Sequence, residues 1–317
     1  MSDSPGIKPI VTTDTVLPLL QEHFGSAVQD LAAIQGGDVA QAFSFRIASE
    51  EAARDYIVRF NAPMVISFDK EAYAYEHFAS PAIPIPRVVH IGRLGELDYA
   101  ITEKAPGRNL LQIPRVEYVA LVPQLIEVLD AIHRVPVGDK PGYGVFDGSG
   151  VGRSPGWRAH LEAVREEPEG DFFEGWHALF ETSFLERDLF DRIYSRMQQL
   201  AEHCPEERYL VHGDYGYGNV LAEDGRVTAV LDWLGARYGD FLYDVAWLDF
   251  WSPVDGWRER YEQHYRSEGR EVSSYRERVL CYQCYMAMEA LKFYAKIGAK
   301  PSYDFAAGRI QSLLKER

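Results

Sequence analysis

Two carboxylates and one side-chain amide in the second half of the sequence have a spacing that suits metal binding. Asp214 follows a short apolar strand, Asn219 lies five residues later across a loop that contains glycines, and Asp232 ends a second apolar strand. An Asp-Gly turn signal between the two strands predicts a hairpin, which would bring the three side chains to one end. Carboxylate and amide oxygens are the hard ligands that Mg²⁺ prefers. The sequence therefore predicts a magnesium site.

His212 precedes this cluster and completes a longer pattern. His is followed by Asp two positions later, by Asn after five more, and by a second Asp thirteen positions further on. In kinase catalytic loops with this pattern, the first Asp takes the proton of the acceptor hydroxyl, and the Asn and second Asp hold the metal. In this sequence His-Gly-Asp replaces the His-Arg-Asp motif, so the arginine that would bind a phosphorylated activation loop is missing. Asp232-Trp233-Leu234 likewise replaces the Asp-Phe-Gly motif. These differences favour a small-molecule kinase over a protein kinase. A set of turn residues that only make local hydrogen bonds is the structural alternative.

The composition is that of a globular chain with an acidic surface. The 317 residues are 46% hydrophobic, and 33 Lys and Arg against 48 Asp and Glu give a net charge of −15. A field of that sign repels nucleic acid and anionic lipid, and it attracts cations. The sequence shows neither a signal segment nor a long apolar run. We therefore expect a cytoplasmic monomer or weak dimer that contacts no membrane.

The three cysteines are too few for a disulfide framework, and such sparse use is typical of a reducing compartment. Cys281 and Cys284 have zinc-knuckle spacing, but no second ligand pair accompanies them and their neighbours are apolar. We expect them on a buried helical face rather than at a metal.

The first hundred residues predict a β-rich unit. Residues 14–34 have helical apolar spacing and are predicted as one amphipathic helix. Residues 42–47 and 55–60 are rich in β-branched and aromatic residues and are predicted as antiparallel strands. A helix over 69–80 and a strand over 99–107 should follow.

The rest of the sequence has mainly helical spacing. A helix is expected from Pro114, with a bend or a restart at Pro123. Residues 137–156 are rich in Gly and Pro and are predicted as loop. Further helices are expected within 157–203 and 256–315.

The predicted hairpin interrupts this helical half, with strands at 208–213 and 226–233. We therefore predict an α+β chain in two lobes, a small β-rich lobe over residues 1–105 and a larger helical lobe over residues 106–317.

Several segments together resemble one known family, the aminoglycoside phosphotransferases, and within it the branch that phosphorylates hygromycin B. The similar segments are AFSF (42–45), HFASPAIPIP (77–86), LDAI (129–132), CPEERYLVHGDYGYGNVL (204–221), GRVTAVLDW (225–233) and GDFLYDVAWLDFW (239–251). The resemblance implies a bilobal, protein-kinase-like fold with ATP or GTP and Mg²⁺ in the cleft. It also implies phosphate transfer to a hydroxyl group of an aminoglycoside or aminocyclitol, and hence antibiotic resistance.

The resemblance gives each residue of the cluster a role. Asp214 would be the catalytic base, and Asn219 and Asp232 would be the Mg²⁺ ligands. His212 would keep the catalytic loop in shape rather than transfer a proton.

The resemblance also implies phosphate contacts in the first lobe. Arg59 stands where most kinases have a phosphate-binding lysine, and Glu71 would be its ion-pair partner; a surface salt bridge is the alternative. Gly36 and Gly37 lie where a phosphate-covering loop belongs, although the G-x-G-x-x-G pattern is incomplete.

The sites of the two substrates follow in the same way. Main-chain groups near Glu103 and Ala105 would bind adenine. Asp249 would pair with an ammonium group of a cationic small-molecule acceptor, and Trp251 would cover a ring face of it.

Three other functions stay open. The same enzyme class could act on a macrolide, a sugar or an amino alcohol. A nucleotide-binding pseudokinase would not need the complete set of Asp214, Asn219 and Asp232. A metal-dependent phosphohydrolase using His212 and Asp214 would need a second histidine cluster, which the sequence does not show.

Overall fold

The protein consists of an antiparallel sheet in its first hundred residues and a mainly helical region after it, which confirms the predicted α+β class. The computed structural model describes residues 8–35, 39–48, 53–62, 68–170 and 172–315. The helices of these residues are α1 (Thr13–Phe24), α2 (Phe68–Phe78), α3 (Arg115–His133), α4 (Trp157–Glu162), α5 (Leu179–Thr182), α6 (Arg187–Ala201), α7 (Leu242–Trp251), α8 (Trp257–Ser267), α9 (Tyr275–Lys296) and α10 (Lys300–Leu313). The strands are β1 (Val28–Ile34), β2 (Gln41–Ile47), β3 (Arg54–Asn61), β4 (Val88–Leu94), β5 (Leu97–Glu103), β6 (Arg108–Asn109), β7 (Tyr143–Phe146), β8 (Gly152–Ser154), β9 (Tyr209–Val211), β10 (Val220–Glu223), β11 (Arg226–Val230) and β12 (Arg237–Gly239).

The first sheet is five-stranded, in the order β1-β2-β3-β5-β4. Side chains alternate across β2 and β3, so Phe43 and Phe60 are buried on one face together with Leu20 of α1. The strands predicted over 42–47 and 55–60 are thus confirmed as β2 and β3.

The helix predicted over residues 14–34 is wrong in its second half. Helix α1 ends at Phe24, and Gly25 adopts φ 66° and ψ −151°, a combination open only to glycine. The chain then continues as β1, which pairs with β2. Leu31 fits the helical apolar spacing by coincidence. It lies in a strand that packs one face against the core, and such a strand also needs apolar residues.

Of the bend or restart predicted at Pro123, the restart does not occur, because α3 runs through Pro123 as one helix. Pro123 is exposed, and so is Val119, whose carbonyl loses its helical partner to the proline. Water can satisfy that carbonyl, so the helix tolerates the missing N–H group. The loop predicted over 137–156 contains the short strands β7 and β8, whereas the helical regions 157–203 and 256–315 are confirmed.

The hairpin is wrong in its predicted pairing. The Asp-Gly turn joins β10 to β11, with Val220 opposite Val230. Strand β9 belongs instead to a four-stranded sheet in the order β8-β7-β12-β9. The prediction missed β10, which lies between the catalytic loop and the turn and takes the place expected for β9.

The larger core surrounds α9, which packs against α6, α7 and α10. Cys281 and Cys284 are free and buried on α9, as expected. Helix α2 also belongs to this core through Tyr73 and Phe78, although it follows the first sheet in sequence. Within the described residues, no helix combines the length and the apolarity that crossing a bilayer requires.

Candidate active site

The catalytic loop leaves β9 through a turn that requires glycine. Gly213 has φ 79°, and a Cβ atom there would overlap the carbonyl oxygen of Gly235. The N–H groups of His212 and Gly213 donate to the carboxylate of Asp244 at 3.0 and 2.7 Å. The loop is therefore anchored to α7 just before Asp214.

His212 is fully buried and bonded at both ring nitrogens. Its Nε2 lies 3.0 Å from the carbonyl oxygen of Leu231 and donates to it, whereas Nδ1 accepts from the N–H group of Asp214 at 3.2 Å. Burial lowers the pKa of His212 to about 4, although the Asp244 carboxylate opposes the shift. A neutral ring with both nitrogens engaged shapes the loop, which supports the role expected for His212.

Asp214 is half-buried at the start of the loop. Burial, and then the charge of Asp232, raise its pKa to about 7, while a hydrogen bond from Asn219 opposes this rise. A carboxylate with a pKa near neutrality is suited to accept a proton from a hydroxyl group.

Asp232 follows β11 in a left-handed conformation, with φ 59° and ψ 71°. This conformation costs a residue other than glycine about 1 kcal/mol, and such strain is often found at functional sites. Its Oδ1 accepts the N–H group of Leu234 at 3.4 Å. Burial and the nearby charge of Glu71 raise the pKa of Asp232, whereas Arg59 lowers it.

The oxygen atoms of this cluster fit a magnesium ion. The Nδ2 of Asn219 donates to the main-chain oxygen of Asp214 at 3.0 Å, so the side-chain oxygen is the atom that can bind a cation. The charge of Asp232 raises the pKa of Asp214, so the two carboxylates repel each other. Mg²⁺ held by Asn219 and Asp232 would lessen this repulsion.

Arg59 of β3 and Glu71 of α2 form a two-point ion pair. Nη1 of Arg59 lies 2.9 Å from Oε1 of Glu71, and Nη2 bonds to Oε2. The side chains are only 23% and 8% exposed, so this pair is not a surface salt bridge. Both residues line the same cavity as Asp232.

That cavity has a volume of about 570 Å³ and is the candidate nucleotide site. Its apolar lining includes Ile34, Ile57, Ile85, Val88, Leu221 and Val230. Glu103 and Ala105 also line it, as the resemblance implies. The N–H groups of Glu103 and Lys104 already donate to main-chain oxygens at 2.9 Å. The predicted phosphate-covering residues Gly36 and Gly37 lie outside the described residues.

A second cavity of about 730 Å³ lies beside the catalytic loop, between α7 and α9. Its aromatic lining consists of Phe173, Tyr215, Tyr217, Trp247, Trp251, Phe293 and Tyr294. Asp214 and Glu289 contribute its carboxylates. Trp251 is therefore placed where the resemblance puts an acceptor-binding residue.

Asn219 lines both cavities. Asp214 lines only the aromatic cavity, and Asp232 only the apolar one. The three residues predicted from their spacing therefore lie at the junction of two sites.

Asp249 does not lie where the resemblance places it. It is 4% exposed, and its Oδ2 accepts bonds from Gln283 at 2.8 Å and Arg309 at 3.0 Å. Residues four apart share a helix face and residues two apart do not. Trp247 and Trp251 of α7 share the face toward the cavity, so Asp249 between them points away from it.

The cavity carboxylate that the sequence analysis missed is Glu289 of α9. Met286, Glu289, Ala290 and Phe293 all line the cavity at steps of three and four residues. This periodic face was visible in the sequence, but it could not be assigned to a cavity without knowing which helices face each other.

The kinase-type loop between two cavities is typical of phosphotransferases, and comparison with known proteins agrees with this class. The chain belongs to the phosphotransferase enzyme family, whose profile matches residues 34–277.

The chain is 31% identical to hygromycin-B 4-O-kinase of Escherichia coli over 312 residues, which are 97% of this chain and 87% of that relative. It is 30% identical to aminoglycoside 3′-phosphotransferase of Streptomyces fradiae over 179 residues, 54% of this chain and 60% of the relative. The family resemblance seen in the sequence is therefore confirmed.

The fold is similar to solved structures of the same family. A thermostable mutant of aminoglycoside phosphotransferase APH(4)-Ia, in a ternary complex with ADP and hygromycin B, matches with a TM-score of 0.83 at 31% identity. The match covers 95% of this chain and 98% of that chain. A spectinomycin phosphotransferase with a TM-score of 0.62 and 15% identity shares the fold alone. The expected kinase-like fold is thus confirmed.

Proposed function

We propose that the protein is an ATP-dependent O-phosphotransferase whose acceptor is hygromycin B or a closely related aminocyclitol, and that its biological role is antibiotic resistance. The observation that carries this proposal is the position of Asn219 between the two cavities, with Asp214 on one side and Asp232 on the other. This arrangement suits direct transfer between two molecules bound at the same time.

The cavity of about 570 Å³ would bind the nucleotide. Its apolar walls suit adenine, and the N–H group of Ala105 is the main-chain donor that we assign to the base. Arg59, oriented by Glu71, would contact phosphate oxygens. Mg²⁺ held by Asn219 and Asp232 would supply further charge neutralisation at the phosphates.

Asp214 would orient the acceptor hydroxyl group and accept its proton. Its main-chain N–H bond to His212 and the anchoring of the loop by Asp244 keep this carboxylate in place. A raised pKa makes the carboxylate a better proton acceptor than an ordinary aspartate. An enzyme needs such a proton acceptor, whereas a nucleotide-binding pseudokinase does not.

The aromatic cavity favours a cationic sugar-like acceptor over a neutral one. Trp247 and Trp251 offer ring faces for the C–H surface of an aminocyclitol, and Glu289 offers a carboxylate for an ammonium group. Glu289 is also paired with Lys292 at 2.5 Å, so a neutral sugar would leave it with that partner alone, whereas an ammonium group of the acceptor would add a second.

Two lobes, residues 1–105 and 106–317, form part of this proposal, with the nucleotide between them. The first sheet has a hydrophobic core of its own, which supports the division. Helix α2 would move with the second lobe, because Tyr73 and Phe78 pack into the larger core.

The decisive experiment measures ADP formation with ATP and Mg²⁺ in the presence of hygromycin B, spectinomycin, a macrolide, a neutral sugar and an amino alcohol. We expect turnover with hygromycin B and a phosphorylated product by mass spectrometry. The Asp214→Ala variant is the control for contaminating kinases. Turnover with a neutral acceptor, together with no tolerance of expressing cells to any aminoglycoside, would contradict the proposal.

A further inference from the structure

We propose that Lys70 is a positioning residue that holds the segment after Asp232, and with it this metal-binding carboxylate, in the conformation needed for nucleotide binding. The inference rests on the proposed function because it takes Asp232 as a Mg²⁺ ligand. It adds a residue that neither the motif pattern nor the family resemblance indicated.

Lys70 lies in α2 and is only 4% exposed. Its Nζ donates to the carbonyl oxygens of Leu234 and Ala236, both at 2.6 Å, and lies 4.4 Å from the ring centre of Phe146. Both hydrogen-bond acceptors are neutral main-chain groups. Burying an ammonium group is costly unless its hydrogen bonds are well formed, so this contact is specific rather than incidental.

The two carbonyl groups flank the turn that follows Asp232. Asp232 itself is left-handed and accepts the N–H group of Leu234, and Ala236 donates to Trp233 at 3.1 Å. A strained residue keeps its conformation only when its surroundings fix it. Lys70 donates hydrogen bonds to this turn at two points. Through them α2 restrains the conformation of Asp232.

Two consecutive residues of α2 contact the two charged parts of the nucleotide site, Arg59 and the segment after Asp232. Glu71 holds Arg59, and Lys70 holds the segment after Asp232. The packing of Phe78 near Trp233, with ring centres 6.1 Å apart, adds a third contact between α2 and this segment. A shift of α2 would thus disturb the phosphate contact and the metal ligand together.

The test compares Lys70→Met with Lys292→Met. Lys292 serves as the control because it is 3% exposed, donates to the carbonyl oxygen of Val164 at 2.8 Å, and lies near the rings of Phe173 and Trp176. Unlike Lys70 it also pairs with Glu289 at 2.5 Å, but Glu289 lines the acceptor cavity and not the nucleotide cavity. Both variants remove a buried ammonium bonded to a carbonyl group, so both should lower the melting temperature. Only the Lys70 variant removes bonds to the segment after Asp232.

The first measurement is hydrogen exchange in the protein without nucleotide or metal. We expect amide exchange in residues 233–237 to be about tenfold faster in Lys70→Met than in the wild type, the effect of losing hydrogen bonds to a charged donor. In Lys292→Met it should stay at the wild-type rate. Equal exchange in all three proteins would overturn the proposal.

The second measurement is calorimetric binding of AMP-PNP with Mg²⁺ and with EDTA. Lys70→Met should weaken binding about tenfold with Mg²⁺ and less than about twofold with EDTA. Equal weakening under both conditions would indicate a merely structural role. If Lys70→Met does not fold, Lys70→Gln replaces it, since glutamine keeps one donor group and should give a smaller effect in the same direction.

Asp232→Ala separates this inference from the proposed function. If that variant binds Mg·AMP-PNP like the wild type, Asp232 is not a metal ligand and the proposed function fails in that respect. The exchange result for Lys70→Met is independent of that outcome, because it needs neither metal nor acceptor.

Discussion

Asp214 exchanges between its protonated and ionised forms near neutral pH. The protonated form favours folding, and the ionised form is the one that can act as a base. Burial and Asp232 raise its pKa to about 7, so the fold favours the protonated carboxyl group. Proton transfer from a hydroxyl group needs the ionised form. Consequences for activity and for stability therefore follow from this one residue.

Replacement of Asp214 by alanine should abolish transfer and spare the nucleotide site. We expect kcat to fall at least about a hundredfold, the usual contribution of a positioned base. Affinity for Mg·AMP-PNP should stay within about twofold of the wild type, since Asp214 lines only the acceptor cavity. Steady-state kinetics and calorimetry check the two parts. A variant that keeps more than about a tenth of the wild-type kcat would exclude Asp214 as the base.

The pH dependence should differ in sign between activity and stability. Activity should fall as the pH decreases, because protonated Asp214 cannot accept a proton, and Mg²⁺ on the neighbouring Asp232 should move this fall below the pKa of about 7 of the metal-free site. The folded pKa of Asp214 lies above the ordinary value of 3.8, so the stabilisation that it contributes is present below about pH 4 and is lost as the pH rises through about 7. Melting curves of the metal-free protein should show this loss, and Asp214→Asn should reduce it. Identical pH profiles of melting temperature in both proteins would contradict the assignment.

At the scale of single elements, neutralising Glu289 and neutralising Asp249 should change different properties, because Glu289 lines the acceptor cavity and Asp249 does not. Glu289→Gln should raise KM for hygromycin B about fivefold and leave kcat nearly unchanged, since a partly exposed ion pair contributes about 1 kcal/mol. Glu277→Gln is the control for net charge, because it removes the same charge from an exposed position on the same helix. Only Glu289→Gln also removes an ion pair with the buried Lys292, so its melting temperature should fall as well. A KM that rises equally in both variants would show a general effect of charge instead of a contact with the acceptor.

Asp249→Asn should instead weaken the fold. Its carboxylate is buried against Arg309 and Gln283, so its loss leaves a guanidinium with one charge partner fewer. We expect a decrease of about 2 kcal/mol in the free energy of unfolding with KM unchanged. Chemical denaturation checks the first part and acceptor kinetics the second. A stable variant with a raised KM would restore Asp249 to the acceptor site.

The sequence allowed the position of the candidate site residues to be predicted better than the elements that hold them. The spacing of Asp214, Asn219 and Asp232 is a local property of one loop and its flanks, so it can be recognised without knowing strand pairing. The pairing of β9 depends on competition among strands far apart in the chain, and the short strand β10 took the expected place. The interior contact of Lys70 with Leu234 joins residues 164 positions apart, and no local pattern indicates it.

The negative net charge of the whole molecule should strengthen the binding of a cationic acceptor. With a net charge of −15, the protein attracts ammonium groups over distances comparable to the screening length, which is about 10 Å at 0.1 M salt. Raising the ionic strength should therefore increase KM for hygromycin B and leave kcat nearly unchanged. A neutral acceptor analogue would serve as the control, since its KM should not respond. Salt-independent binding of hygromycin B would exclude long-range attraction as a contribution.

The shared wall at Asn219 has a consequence for inhibitor design. Because one side chain borders both cavities, a single compound with a linker that passes Asn219 could join a nucleotide to an aminocyclitol and occupy the two sites. Once one half is bound, the other half meets its site at an effective concentration of about millimolar, so the joined compound would bind far more tightly than either half. Such a compound would compete with both substrates, and a raised concentration of ATP alone in the cell would only partly displace it.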